Sequence, residues 1–223
     1  MSQIYFRNSD ETGEGAVSDL HPFPVIPTGV PSFFKDKIPL SADISWRLAL
    51  EGRIFAAADA DQNDRITGQT TFAVTTPTFT LLNPAGSDVL VLPFFYQLAQ
   101  TGSVAGGDIS IDTEIVAPSS FSSGTLEKTR NLRMGMAARP TNRGLLYSTV
   151  TAASGYGIAV GHATLAPDVS PAEGVINIYE WQAPVGCILD PNTSLNVFTV
   201  AASTGPTFGW HFVWAELPLS WMS

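Results

Sequence analysis

Residues 59–70, DADQNDRITGQT, carry oxygen-bearing side chains at alternate positions, the spacing with which a calcium loop surrounds its ion. Asp59, Asp61 and Asn63 fall on the first, third and fifth ligand positions, and Ile66 on the eighth, where such loops carry an aliphatic residue. The preceding ISWRLALEGRIFAAA could pass for the entering helix. Two positions break the pattern. The sixth needs glycine for a sharp turn and holds Asp64; the twelfth needs a glutamate lending both carboxylate oxygens and holds Thr70. The following TTFAVTTPTFT is rich in β-branched residues and reads as a strand, so no exiting helix is expected. No metal site is therefore expected. Asp59, Asp61 and Asn63 remain the candidates for a calcium contact, on an acidic loop joining the N-terminal region to the domain after it.

A second charged cluster has the opposite sign. No Lys or Arg lies between Arg65 and Lys128, and none follows Arg143. Lys128, Arg130, Arg133, Arg139 and Arg143 crowd into KTRNLRMGMAARPTNR, which contains no acid. In a chain of net charge -9, such a segment is complementary to an acidic protein surface, its own or a partner's. The alternative is a solvated loop balanced by nearby carboxylates. Phosphate binding ranks third, because no aromatics interleave the arginines, and the overall charge repels nucleic acid.

Catalytic constellations are missing from the sequence pattern. His21, His162 and His211 are far apart and lack metal-ligand spacing. Gly155, Gly157 and Gly161 in GYGIAVG open no helix and lack the Lys-Ser/Thr ending of a phosphate loop, so they read as a glycine-softened strand. Asp112 and Glu114 share one strand face and read as solvated. The single Cys187, in apolar PVGCILD, reads as a buried inert thiol and excludes an intrachain disulfide. With no acid, base and nucleophile set and no cofactor motif, the chain is expected to be no enzyme and to carry no cofactor.

The elements that must position these residues are mostly strands. Hydrophobic residues make up 44% of the chain and charged residues only 14%, against about 25% in ordinary soluble domains. Residues 1–45 differ from the rest: Pro22, Pro24, Pro27, Pro31 and Pro39 force extended backbone. That arm carries Phe23, Val25, Ile26, Phe33 and Phe34, a set suited to lying across a neighbouring surface. Residues 46–223 are expected to form one β domain. TTFAVTT, TFTLLN, DVLVLPFFYQL, DISIDTEIV, GLLYSTVTAA, YGIAVGHATL, GVINIYEWQA, SLNVFTVAA and FGWHFVWAELP read as strands, the last two pairing through the turn STGPTF. In NPAGSD, proline and glycine supply turn chemistry. ISWRLAL fits a helix or a strand, and no other internal helix is expected. The fold class is all-β, an antiparallel β-sandwich or jelly roll with an extended Pro-rich N-terminal arm. No apolar run is long enough to span a membrane, and MSQIYFRNSDETGEG has neither the basic start nor the apolar run of a secretory leader.

LLNPAGSDVLVL and the closing W-A-E-x-P (Trp214, Ala215, Glu216, Pro218) resemble a recurrent β-sandwich of tailed-bacteriophage structural proteins. The resemblance is specific at Asn83 to Ser87 and at the last strand, and loose over residues 53–218. It implies a non-enzymatic virion protein assembled in the host cytoplasm. A capsid decoration or cement protein is preferred, bound to neighbouring major capsid proteins and commonly a homotrimer. A tail, baseplate or fibre component is the alternative within the class. From another class stands a lectin-like sandwich, stacking exposed Trp and Tyr on sugar with the Asp59 loop holding calcium.

Overall fold

A computed structural model describes residues 5–7, 14–16, 44–59, 64–101, 108–155, 157–165, 178–201 and 207–222. The chain divides into two compact units, Met1–Ile44 and Ser45–Ser223. In the first, β1 (Tyr5–Arg7) pairs antiparallel with β2 (Glu14–Ala16). Phe23, Val25, Ile26, Phe33 and Phe34 lie outside the described residues.

The ambiguous ISWRLAL is a helix, α1 (Ile44–Leu50), all but its first residue in the second unit. Its end is written in the sequence: Gly52 has φ +67°, donates its N–H to Ala49 O at 3.0 Å, and Arg53 N–H reaches Leu48 O at 2.8 Å. This paired closure needs a left-handed residue, which glycine adopts without strain.

Twelve strands then build two antiparallel sheets. They are β3 (Ile54–Ala58), β4 (Ile66–Thr67), β5 (Phe79–Asn83), β6 (Val89–Gln100), β7 (Ile109–Val116), β8 (Ser123–Leu126), β9 (Thr129–Asn131), β10 (Leu145–Thr151), β11 (Ile158–Leu165), β12 (Ile178–Gln182), β13 (Thr193–Ala201) and β14 (Thr207–Pro218). One sheet runs β11-β7-β13-β5-β10-β8; the other runs β12-β6-β14-β3-β9, with β4 also on β14. From β5 onward the chain changes sheet at most connections, as sandwich and jelly-roll chains do. Pro93 sits inside β6 at the register shift between Val213 and Trp214, where a missing N–H breaks the ladder least.

The alternation in β14 points Phe208, Trp210, Phe212 and Trp214 into the core, each at most 5% exposed. Across the gap, Phe79 packs on Phe212 and Trp210 at ring distances of 5.0 and 5.4 Å. Tyr96 stacks between Phe212 at 5.0 Å and Trp181 at 5.3 Å, and its hydroxyl shares a 2.6 Å hydrogen bond with Thr113 of the other sheet. Burying each such ring stabilises the fold by roughly 1.5–3 kcal/mol.

The structure corrects several expectations. TTFAVTT is a loop, because Gln69 takes over its hydrogen bonds: its amide donates to Ala73 O and Thr76 O and accepts from Ala73 N. Gln69 itself pairs with Val200 of β13, carrying the chain from one sheet to the other. Gly68 permits the crossing, since a side-chain carbon there would overlap Thr199. Phe72 of the loop then covers Phe198 at 5.3 Å, so β13 is buried on both faces. SLNVFTVAA and FGWHFVWAELP do not pair with each other: β13 and β14 belong to opposite sheets. DADQND does not connect the N-terminal region to the sandwich; it lies between β3 and β4, which both pair with β14.

Candidate docking edge

The basic segment is partly strand, not wholly loop. Thr129–Asn131 forms β9, which among the described residues is the last strand of its sheet and pairs only with β3, through Phe55↔Asn131, Ala56↔Arg130 and Ala57↔Thr129. Immediately before it, β8 is the last described strand of the other sheet, paired among the described residues only with β10. The two run consecutively along one side of the sandwich, and every residue of β8 is exposed. Their short apolar content and the charge run that follows hid them from a periodicity reading.

A half-buried and a fully buried polar side chain fix the segment after β9. Asn131 donates to Gly52 O at 2.5 Å and accepts Arg133 N–H at 2.9 Å. At the far end Glu216, 1% exposed, accepts Arg143 N–H at 2.8 Å, Gly144 N–H at 2.7 Å and the Trp214 indole at 3.4 Å. Burial pushes the Glu216 carboxyl above the usual range, and these hydrogen bonds oppose the rise. Gly144 is required there, since a side-chain carbon would lie 2.9 Å from Trp214 Nε1. A glutamate inside an apolar strand was the legible signal for this clamp.

The cations divide into engaged and open groups. Arg47 and Arg53 flank Glu51 and both lie over the Trp221 ring, at 5.0 and 5.2 Å. Arg143 reaches Asp88 at 3.4 Å. Lys128, Arg130, Arg133 and Arg139 are exposed and make no ion pair among the described residues. Around them stand Leu126, Leu132 and Met134, 55%, 54% and 75% exposed, and a cavity of about 210 Å³ lined by Ala49, Ile54, Leu132 and Arg133. The one acid in residues 121–144 is Glu127, held by the Ser148 hydroxyl. Burial raises its pKa, Ser148 opposes the rise, and the charges of Asp64 and Asp59 add to it.

The other candidates are placed as follows. Asp59 accepts Asp64 N–H at 3.2 Å, an ordinary turn contact, and Asp61 and Asn63 lie outside the described residues. Among the described residues no group of three or more His, Cys, Asp or Glu could hold a metal. His162 contacts Asp112 at 2.5 Å on an exposed face, and Glu114 accepts Gly157 N–H at 3.2 Å. Cys187 is buried. Trp181, Trp210 and Trp214 are core residues, leaving no stacking face of theirs for a sugar. Asn83 is also core: its amide donates to Val89 O and Leu189 O and accepts from Ser87, closing the turn in which Gly86 takes φ +75°. Both stretches that carry the phage resemblance are thus packing devices. No helix of the described residues is long and apolar enough to cross a membrane.

Fold and surface together define a two-sheet antiparallel β-sandwich with a basic, apolar-studded open edge. Compared with known proteins, the chain matches no family model, no curated protein and no solved structure.

Proposed function

We propose that this protein is a non-enzymatic structural component of a tailed-bacteriophage virion. In this reading it is a decoration or cement protein that stabilises the head by binding neighbouring major capsid proteins. The observation that supports the reading is the β8–β9 edge. Among the described residues of an acidic chain, Lys128, Arg130, Arg133 and Arg139 make no ion pair, and they surround exposed Leu126, Leu132 and Met134. Cations mixed with exposed apolar side chains suit a protein surface, where charge sets register and apolar burial adds affinity. The proline-rich segment with Phe23, Val25, Ile26, Phe33 and Phe34 is the second proposed contact, adding apolar area across the neighbouring subunit.

Purified particles provide the test. The full chain should be present in them and accessible on the head, and should co-sediment with shells of the major capsid protein. Arg130→Glu, Arg133→Glu and Arg139→Glu together should abolish co-sedimentation while the protein stays folded. A protein missing from purified particles, or a triple variant that attaches as well as wild type, overturns the reading.

A further inference from the structure

The basic edge has a counterpart on the opposite side of the same sandwich. There the sheets end in β11 and β12, held together by the Trp181 indole donating to Val160 O at 3.3 Å. No Lys or Arg occurs in β5 to β8 or in β10 to β14. Among the described residues, the charged groups on the strands of this side are Glu180 on β12, and Asp112 with its His162 neighbour and Glu114 on β7, one strand in. Exposed apolar residues stand here too, with Ile158 75% and Ile178 55% exposed. Among the described residues, no strand pairs with the outer edges of β8, β9, β11 or β12.

Open edges are templates for pairing with another chain, and a sandwich normally protects them with charge, proline or cover. Here the two sides are protected by opposite charges, which repel like edges and attract unlike ones. We propose that copies of this chain associate head to tail, the β8–β9 edge of one copy docking on the β11–β12 edge of the next. Lys128, Arg130 and Arg133 face Glu180, Asp112 and Glu114, and Leu126 and Leu132 meet Ile158 and Ile178. The contact is heterologous, so it propagates to a closed ring or an open row rather than stopping at a symmetric dimer. This inference rests on the reading of the basic edge as a protein-docking surface, and adds a second copy of the chain to the shell as an acidic surface that this edge fits.

The test is a charge swap read by light scattering on the full chain. Wild type should form oligomers that dissociate as salt is raised. Arg130→Glu with Arg133→Glu reverses one edge; Glu180→Lys with Glu114→Lys reverses the other. Each double variant alone should be monomeric, and an equimolar mixture should reassemble, because each reversed edge finds its complement. Circular dichroism establishes that the variants are folded, and Glu180→Lys alone serves where the acidic double variant is not. Wild type that is monomeric at every salt and concentration, or a mixture that stays monomeric, overturns the proposal. Monomeric wild type that still attaches to shells through Arg130, Arg133 and Arg139 overturns self-association alone; monomeric wild type that attaches to nothing overturns the docking surface as well.

Discussion

The centre of the sandwich and its β8–β9 edge treat polar groups in opposite ways. At the centre every polar side chain quoted has a partner of its own chain. Thr80 donates to Asn196 at 3.0 Å, Ser194 donates to the same oxygen at 3.2 Å, Thr78 and Thr199 share a 3.0 Å bond, and Glu216 gathers three donors. At the edge, Lys128, Arg130, Arg133 and Arg139 make no ion pair among the described residues. The difference follows from solvent. A buried polar group without a partner costs about 1–3 kcal/mol, whereas an exposed cation is satisfied by water. The centre is therefore built for stability and the edge is free to be built for association.

That contrast breaks if substitutions at the two places have similar effects. The largest loss is expected from Trp214→Ala, about 3–5 kcal/mol in urea unfolding, since the ring is fully buried against Phe55 at 6.3 Å. Glu216→Ala should follow at about 2–3 kcal/mol, because two backbone N–H groups lose their acceptor in a buried place. Asn196→Ala should lose about 1–2 kcal/mol, leaving the Thr80 and Ser194 hydroxyls to find new partners. The smallest change belongs to Arg130→Glu with Arg133→Glu, within about 0.5 kcal/mol of wild-type stability although association is lost. A large stability loss in that variant would place the edge with the centre and end the distinction.

Glu216 also sharpens the comparison through pH. Its folded-state pKa lies above its unfolded one, so the fold favours the protonated form. The associated stability is present below the unfolded pKa and is lost as pH rises through the folded pKa. Measured against Glu216→Gln, wild-type stability should accordingly fall as pH is raised from the acid side through that window. An unchanged difference across the window would show that Glu216 titrates alike in both states.

Much of the fold was legible where one face of a strand is buried. Phe208, Trp210, Phe212 and Trp214 announce β14 by alternation, and Gly86 announces the turn after β5 through the positive φ it must take. The failures share a cause. TTFAVTT has strand-like residues, yet its backbone groups are satisfied by the side chain of Gln69, which no local pattern can foresee. TRN has no strand pattern, yet it pairs with β3, because a strand needs a partner more than it needs a propensity. The candidate site was legible only as charge: Lys128, Arg130, Arg133, Arg139 and Arg143 were visible as a cluster, but Arg143 is taken by Asp88.

By itself the sequence determined an all-β chain of alternating strands, an unequal distribution of charge, and a proline-rich N-terminal segment. These follow from the period of two in a strand and from the counting of ionisable groups, both local properties. Only the tertiary structure decided which strands are neighbours, and so which residues form edges. It placed the basic run on one side of the sandwich and Glu180, Asp112 and Glu114 on the strands of the other, and turned DADQND from an expected link between the N-terminal region and the sandwich into a connection between two strands that pair with β14. Pairing across the sheet joins residues over a hundred positions apart, as in Gln69 with Val200, and no short-range pattern encodes that choice.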